Sequence, residues 1–261
     1  DRNNIATNPP AVVTQGDENL HRYGLVLNLT KDLVLYGMES TTFSPQNNRD
    51  INFNVLPSQI GTGRELGVKT AFLDGRISST ISVFKLELSN QAFFAGVRPE
   101  GTNFFQPIGS TTQRGFDGDL AITPIPGLQF VGSFFDGTVK DQAGARTPNS
   151  YERSLSFFGR YEFLQGRAKG LSIGGGIARI SGRSVSTANY TIATVPKPAL
   201  FILDPGNLVN VFVNYRFNPH WSARAGVDNV LDEAYPLGAQ AAFFVDPSPP
   251  RTFTLAVTAR F

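Results

Sequence analysis

The 261-residue sequence has no cysteine, one methionine, one tryptophan and two histidines. Without thiols there is no disulfide scaffold and no thiolate metal site, although this leaves the cellular compartment open. His21 and His220 lie far apart in the chain, so zinc-ligand spacing is missing as well, and each is expected on a polar sheet face or in a turn. No run approaches the ~18 consecutive apolar residues of a membrane-spanning helix, which excludes helices but not strands as membrane-crossing elements. The residues after Asp1 do not read as a secretory signal. Charge is not blocked: 23 basic and 21 acidic residues leave a formal +2, with no stripe suited to nucleic acid.

Against these absences stand 22 phenylalanines and 26 glycines, a mixture that favours strands and turns. Apolar residues recur with period two along most of the chain. In Leu208 to Phe217, Val209, Val211, Val213, Tyr215 and Phe217 oppose Asn210, Asn214 and Arg216, with Leu208 and Phe212 as exceptions. Trp221, Ala223, Ala225 and Val227 oppose His220, Ser222, Arg224 and Asp228; Leu155, Phe157, Tyr161 and Phe163 oppose Ser154, Ser156, Arg160 and Glu162. The last segment divides in the same way, with Phe253, Leu255, Val257, Ala259 and Phe261 on one side. From Arg76 to Leu88 the phase breaks, because Ile77, Ile81 and Val83 give way to Phe84, Leu86 and Leu88. Either a bulge or emergence of the strand from apolar surroundings produces this.

Connections alternate. Short turns at 30–32, 73–75, 124–127, 164–170 and 218–219 take turns with long irregular stretches at 43–61, 89–108, 140–150, 184–199 and 232–250. A meander of this kind gathers the tight turns at one end of a sheet and the long loops at the other, as in outer-membrane barrels. About eleven strands are expected from His21 onward. An even barrel with both termini on the short-turn side needs at least one upward strand before them, so the chain is expected to be part of a longer polypeptide. Phe72, Tyr161, Phe163, Tyr215, Phe217, Trp221 and Phe261 gather near the short turns, as an interfacial aromatic belt does. A soluble β-sandwich is the competing reading, since its core also alternates.

Four motifs carry a resemblance: Gly63-x-Glu65-x-Gly67-Val68-Lys69 before an Asp-Gly turn, Arg114-Gly115-Phe116-Asp117 in a strand, Asn229-Val230-Leu231-Asp232 followed by Tyr235, and Pro250-Arg251 opening a final strand that ends in Phe. From about Leu33 onward the chain resembles the C-terminal barrel half of TonB-dependent outer-membrane receptors of the ferric-siderophore type. The resemblance implies an all-β, antiparallel transmembrane barrel of about 22 strands, of which residues 21–261 supply eleven and residues 1–20 a loop or strand remnant. It also implies a plug domain and first barrel half that are not in this sequence, energy from the TonB complex through that plug, and residence in the outer membrane of a Gram-negative cell. A terminal aromatic, Phe261, is then read by the barrel-assembly machinery, and lipid is a partner. Receptors of this class also carry cobalamin or glycans, because fold does not fix ligand.

Neither enzymatic chemistry nor a cofactor is expected. Gly174-Gly175-Gly176 interrupts an alternating segment and opens no helix, so close approach of another backbone explains it better than phosphate binding. The pairs Asp117 with Asp119 and Asp232 with Glu233 are expected to be polar-face and turn residues. For ligand capture the candidates are loop aromatics: Phe93, Phe94, Phe104 and Phe105 in one long loop, Tyr190 in another, and Tyr235, Phe243 and Phe244 in a third. Their rings, with nearby Arg, would suit a bulky iron chelate, while packing between loops is the alternative.

Overall fold

A computed structural model describes residues 19–147, 149–186, 200–241 and 244–260, and among these it contains strands and no helix. The strands are β1 (Arg22–Asn28), β2 (Leu33–Ser44), β3 (Gln59–Phe72), β4 (Ile77–Val97), β5 (Asn103–Ile122), β6 (Leu128–Lys140), β7 (Arg153–Glu162), β8 (Leu171–Ile180), β9 (Ser184–Ser186), β10 (Leu200–Ile202), β11 (Gly206–Arg216), β12 (Trp221–Asp228), β13 (Pro236–Ala241), β14 (Phe244–Pro247) and β15 (Thr252–Ala259). Eleven form one antiparallel meander in the order β1-β2-β3-β4-β5-β6-β7-β8-β11-β12-β15, while β9 with β10 and β13 with β14 make two small hairpins. The expected eleven-stranded sheet is therefore present, and all five short turns lie at one end.

Register sorts the side chains. Leu35, Val68, Ile81, Gly118, Phe134 and Leu155 follow one another across β2 to β7 on one face. Further along, Ile173, Val213, Ala225 and Leu255 continue that face across β8, β11, β12 and β15. The face has no protein cover: Leu66, Ile81, Leu155 and Ile177 are about half exposed. Among the described residues only Leu56, Val185, Leu203 and Ala239 are buried apolar side chains, and these sit in or beside the connections at the long-loop end. Fully burying one Leu or Phe contributes roughly 1.5–3 kcal/mol, so a soluble sandwich would not leave this face open. An apolar solvent on that side accounts for it.

The opposite face is polar and internally bonded. Tyr36 Oη donates to Glu65 Oε1 at 2.5 Å, Lys69 Nζ lies 4.9 Å from the Tyr36 ring centre, Ser82 donates to Asp117, and Ser133 and Ser156 hydroxyls meet at 2.7 Å. Near the short turns Glu162 accepts from both Arg160 and Arg216. At that end the apolar face carries its aromatic belt, with Tyr161 edge-on to Phe163 at 4.8 Å and Tyr215 to Phe217 at 4.9 Å. Phe261 lies outside the described residues.

The phase break in β4 is resolved as emergence. Pairing with β3 runs without a shift from Phe72↔Ile77 to Ile60↔Ser89, so no bulge intervenes. After Val83 the outward positions simply turn charged, Lys85 and Glu87 beside Arg64 and Arg114, while Phe84, Leu86 and Leu88 occupy the polar face. The bulge of this strand sits farther on, between Phe94 and Gly96.

Three expectations need correction. Residues 89–108 are not an irregular loop: β4 and β5 stay paired to Val97↔Asn103, and only residues 98–102 turn. Backbone pairing does not need alternating side chains, so polar Ser89, Asn90 and Gln91 hid the strand. Residues 232–250 likewise contain the β13–β14 hairpin. His21 lies on the apolar side of the sheet at its charged border, stacked 4.9 Å from Tyr23 with Nε2 3.2 Å from Glu39, while His220 is in a turn as expected.

Candidate functional site

On the polar face, directly below the long connections, a hollow of about 460 Å³ is lined by Ser40, Thr42, Gly61, Gly63, Leu86, Leu88, Gln91, Thr111, Gln113 and Val139. Glycine creates the space. A Cβ on Gly63 would stand 3.0 Å from Leu86 Cδ2, and one on Gly61 would strike the Thr42 hydroxyl. Leu86 and Leu88 form an apolar platform, and hydroxyl and amide groups frame it; Thr111 Oγ1 already donates to Gln91 Oε1 at 2.9 Å. The hollow can bury one apolar or aromatic lobe of a ligand and fix its polar edge. Leu86 and Leu88 were visible in the sequence only as a broken phase, whereas their glycine partners come from a strand more than twenty residues away.

A second apolar feature of the polar face runs along its length. Phe84 stacks on Phe135 at 6.0 Å, which meets Tyr151 edge-on at 5.6 Å; farther round, Phe158 stacks on Phe212 at 6.0 Å and 9°. Arg224 caps Phe212 with its guanidinium carbon 4.1 Å from the ring centre. These rings explain the triple glycine. A Cβ at Gly174 would be 2.7 Å from the Phe212 ring, and one at Gly176 3.2 Å from Phe158, while Gly175 faces the Asn210 carbonyl at 2.7 Å. The expected close backbone accounts for part of this, and room for two rings on the polar face accounts for the rest.

The candidate aromatics divide. Phe94 and Phe105 are cross-strand partners meeting edge-on at 6.3 Å. Phe93 is exposed on the other side of β4. Phe104 serves the loop, standing 5.9 Å from the Arg98 guanidinium and over Gly96, where φ is +154°. Tyr235 lies against Gly206, on β11 rather than on the hairpin of the other rings. Phe244 is in β14; Tyr190 and Phe243 lie outside the described residues.

Sequence reasoning missed Arg98. Only 6% exposed, it donates through Nη1 to Thr102 Oγ1 and Asn103 O, each at 2.8 Å, through Nη2 to Asp50 O and through Nε to Ile51 O at 3.3 Å. Phe53 covers it at 4.2 Å. Phe105 N donates to Arg49 O at 2.8 Å beside it. Together these bonds tie residues 45–58 to the β4–β5 hairpin. Within that loop Asp50 accepts from Asn54 Nδ2 at 3.0 Å and from the backbone N–H of Asn54 and Asn52, which holds its carboxyl below the ordinary aspartate range. Apart from Thr102 Oγ1, the hydrogen-bond acceptors of Arg98 are main-chain oxygens, so no side-chain pattern could announce it.

The Asn229-Val230-Leu231-Asp232 motif is also a knot. Asn229, at φ 52°, is buried; its Nδ2 donates to Glu233 O and Pro249 O, and its Oδ1 accepts from Glu233 N at 3.1 Å. Asp232 Oδ1 accepts from Arg251 N at 2.9 Å, and Glu233 accepts from Asn207, so this acidic pair shapes the turn. No cluster of three or more metal-ligating side chains occurs among the described residues.

Residues 1–230 match the family described as TonB dependent receptor-like, beta-barrel. The chain is 27% identical over 231 residues to the ferric-pyoverdine 358 receptor of Pseudomonas putida, covering 84% of this chain and 26% of that protein. It is 25% identical over 246 residues to the metal-pseudopaline receptor CntO of Pseudomonas aeruginosa, covering 92% and 33%. The solved ferripyoverdine receptor of the outer membrane of Pseudomonas aeruginosa, bound to ferripyoverdine, superposes with a TM-score of 0.78 at 21% identity, over 92% of this chain and 32% of that one. The chain thus spans about a quarter to a third of the length of these relatives.

Proposed function

The chain belongs to the TonB-dependent receptor-like β-barrel family, and from that premise we propose that it is part of the wall of an outer-membrane receptor for ferric siderophores. Its apolar face meets lipid and its polar face lines the interior, so its ligand arrives at the long-loop end. There the Phe94–Phe105 pair and the Leu86–Leu88 hollow offer a stacking edge and an apolar seat beside hydroxyl and amide groups. That suits a large chelate whose iron is already wrapped by its own donors, and it needs no metal ligands from the protein. The receptor binds and passes its ligand without covalent chemistry. Energy reaches it from the TonB complex through a plug, and the barrel-assembly machinery reads its last strand.

The observation that carries this reading is the coincidence of the family match with relatives named for ferric-siderophore reception. Its test is uptake of radiolabelled iron by a deletion strain carrying the complete gene, supplied with a panel of ferric siderophores. TonB-dependent uptake of one of them is expected. Uptake of cobalamin or a glycan instead, with none of the iron chelates, would replace the ligand and keep the barrel.

A further inference from the structure

On the apolar face, where β5 to β8 reach the charged border, lies a trough of about 480 Å³. Its floor is Phe116, Phe134 and Leu155, the two rings meeting edge-on at 5.6 Å, and Phe134 lies over Gly118, where a Cβ would stand 2.5 Å from it. Its rim is cationic: Arg153 and Arg179 line it with Asp136. Arg153 meets Asp136 through Nε at 2.8 Å, which leaves its two Nη nitrogens for a further acceptor, and its side chain is 76% exposed. Among the described residues Arg179 reaches only a neutral amide, Asn207 Oδ1 at 3.2 Å. On the same face of β4 to β8 the border residues are Lys85, Arg114, Lys140, Arg153 and Arg179 against Glu87 and Asp136, a surplus of three positive charges.

We infer that this trough binds a phosphorylated, acylated lipid of the outer leaflet, with an acyl chain along Phe116, Phe134 and Leu155 and a phosphate on Arg153 and Arg179. The inference rests on the reading of this face as lipid-exposed. A purely polar anion would gain nothing from the floor, and an uncharged lipid would leave Arg179 facing only a neutral amide and the Nη nitrogens of Arg153 without an acceptor. Guanidinium nitrogens match phosphate oxygens two at a time, which a carboxylate-poor rim allows. Height decides the leaflet. The trough lies at the long-loop end of the apolar band, opposite the aromatic belt at the short turns, and in such barrels the long loops are extracellular.

The test titrates the complete gene product, in detergent, with diphosphoryl lipid A and with the same lipid after removal of its phosphates, reading bound lipid by native mass spectrometry. Wild type is expected to retain the phosphorylated lipid at least tenfold better. The double substitution Arg153→Gln with Arg179→Gln is expected to lose that preference, Arg153→Lys with Arg179→Lys to keep part of it, and Lys31→Gln at the short-turn end to change nothing. Equal retention of both lipids by wild type overturns the inference even if the variants fail to fold, and so does an unchanged preference in the glutamine variant. Heat-modifiable gel mobility and membrane fractionation of wild type separate the two levels. If both are lost, the lipid-facing reading falls and takes the site with it; if both hold while the phosphate preference is absent, only the site falls.

Discussion

Arg98→Met removes the guanidinium that joins two connections while keeping an unbranched apolar stem. Asp50 O, Ile51 O, Asn103 O and Thr102 Oγ1 lose their donor, and Phe53 and Phe104 lose the cation near their rings. Three well-formed bonds at a net ~1 kcal/mol each, plus ~1 kcal/mol for the stacked cation, give about 4 kcal/mol. Water entering the opened loop returns some of this to the carbonyls, so about 3 kcal/mol of closing energy is expected to be lost. At 1.4 kcal/mol per tenfold, that is roughly a hundredfold in the local opening equilibrium. The reporter is Phe105 N, which donates to Arg49 O across the two segments. Its hydrogen exchange should accelerate by about that factor, while amides in the β11–β12 pair stay as they were. Acceleration below about threefold, or equal acceleration in β11, would refute the view that Arg98 is the clasp.

Gly174→Val drives a side chain into the Phe212 ring and the Gly159 carbonyl, 2.7 and 2.9 Å from its Cβ, and should cost about 1–3 kcal/mol, seen as a lower urea midpoint for the folded, heat-modifiable band. Asp50 is held below its ordinary range by hydrogen bonds that need the carboxylate. Its support for residues 45–58 is therefore complete above the ordinary aspartate value of ~4 and fades as pH falls through the lowered native value. Protease cleavage in this segment, scored after brief incubation at each pH, should rise only at the acid end, and Asp50→Asn should abolish that dependence. Phe94→Ala takes one ring from the proposed capture edge, and loss of a single ligand–ring contact worth ~1 kcal/mol should weaken ferric-siderophore binding by the complete gene product about fivefold in a fluorescence titration. Unchanged affinity would take the pair out of the capture surface.

The sequence reading succeeded where side-chain chemistry is set by solvent. Val211, Val213 and Tyr215 alternate with Asn210, Asn214 and Arg216 because each side meets a different medium, and the register places them as the alternation predicts. Turn chemistry was also legible: Leu73, Asp74 and Gly75 all take positive φ in the β3–β4 turn. Failure came where contacts are set by distant backbone. β4 and β5 continue past Ser89 because their main chains pair, whatever the side chains do. Arg98 is bound by carbonyls nearly fifty residues earlier, and Gly61, Gly63 and Gly174 are shaped by side chains on neighbouring strands. The candidate aromatics were chosen by residue type and by long connection, neither of which fixes contacts, which is why Phe94 and Phe105 form a pair while Phe104 serves the loop and Tyr235 packs elsewhere.

Lipid contact on one face only is the claim most directly measured. Single fluorophores placed at Val213 and Leu255, and in separate variants at Asn214 and Thr254, would be compared in bilayers of brominated lipid for the complete gene product. Strong quenching at Val213 and Leu255 and little at their neighbours is the predicted result; equal quenching at all four sites, or quenching at Asn214 and Thr254 alone, would contradict it.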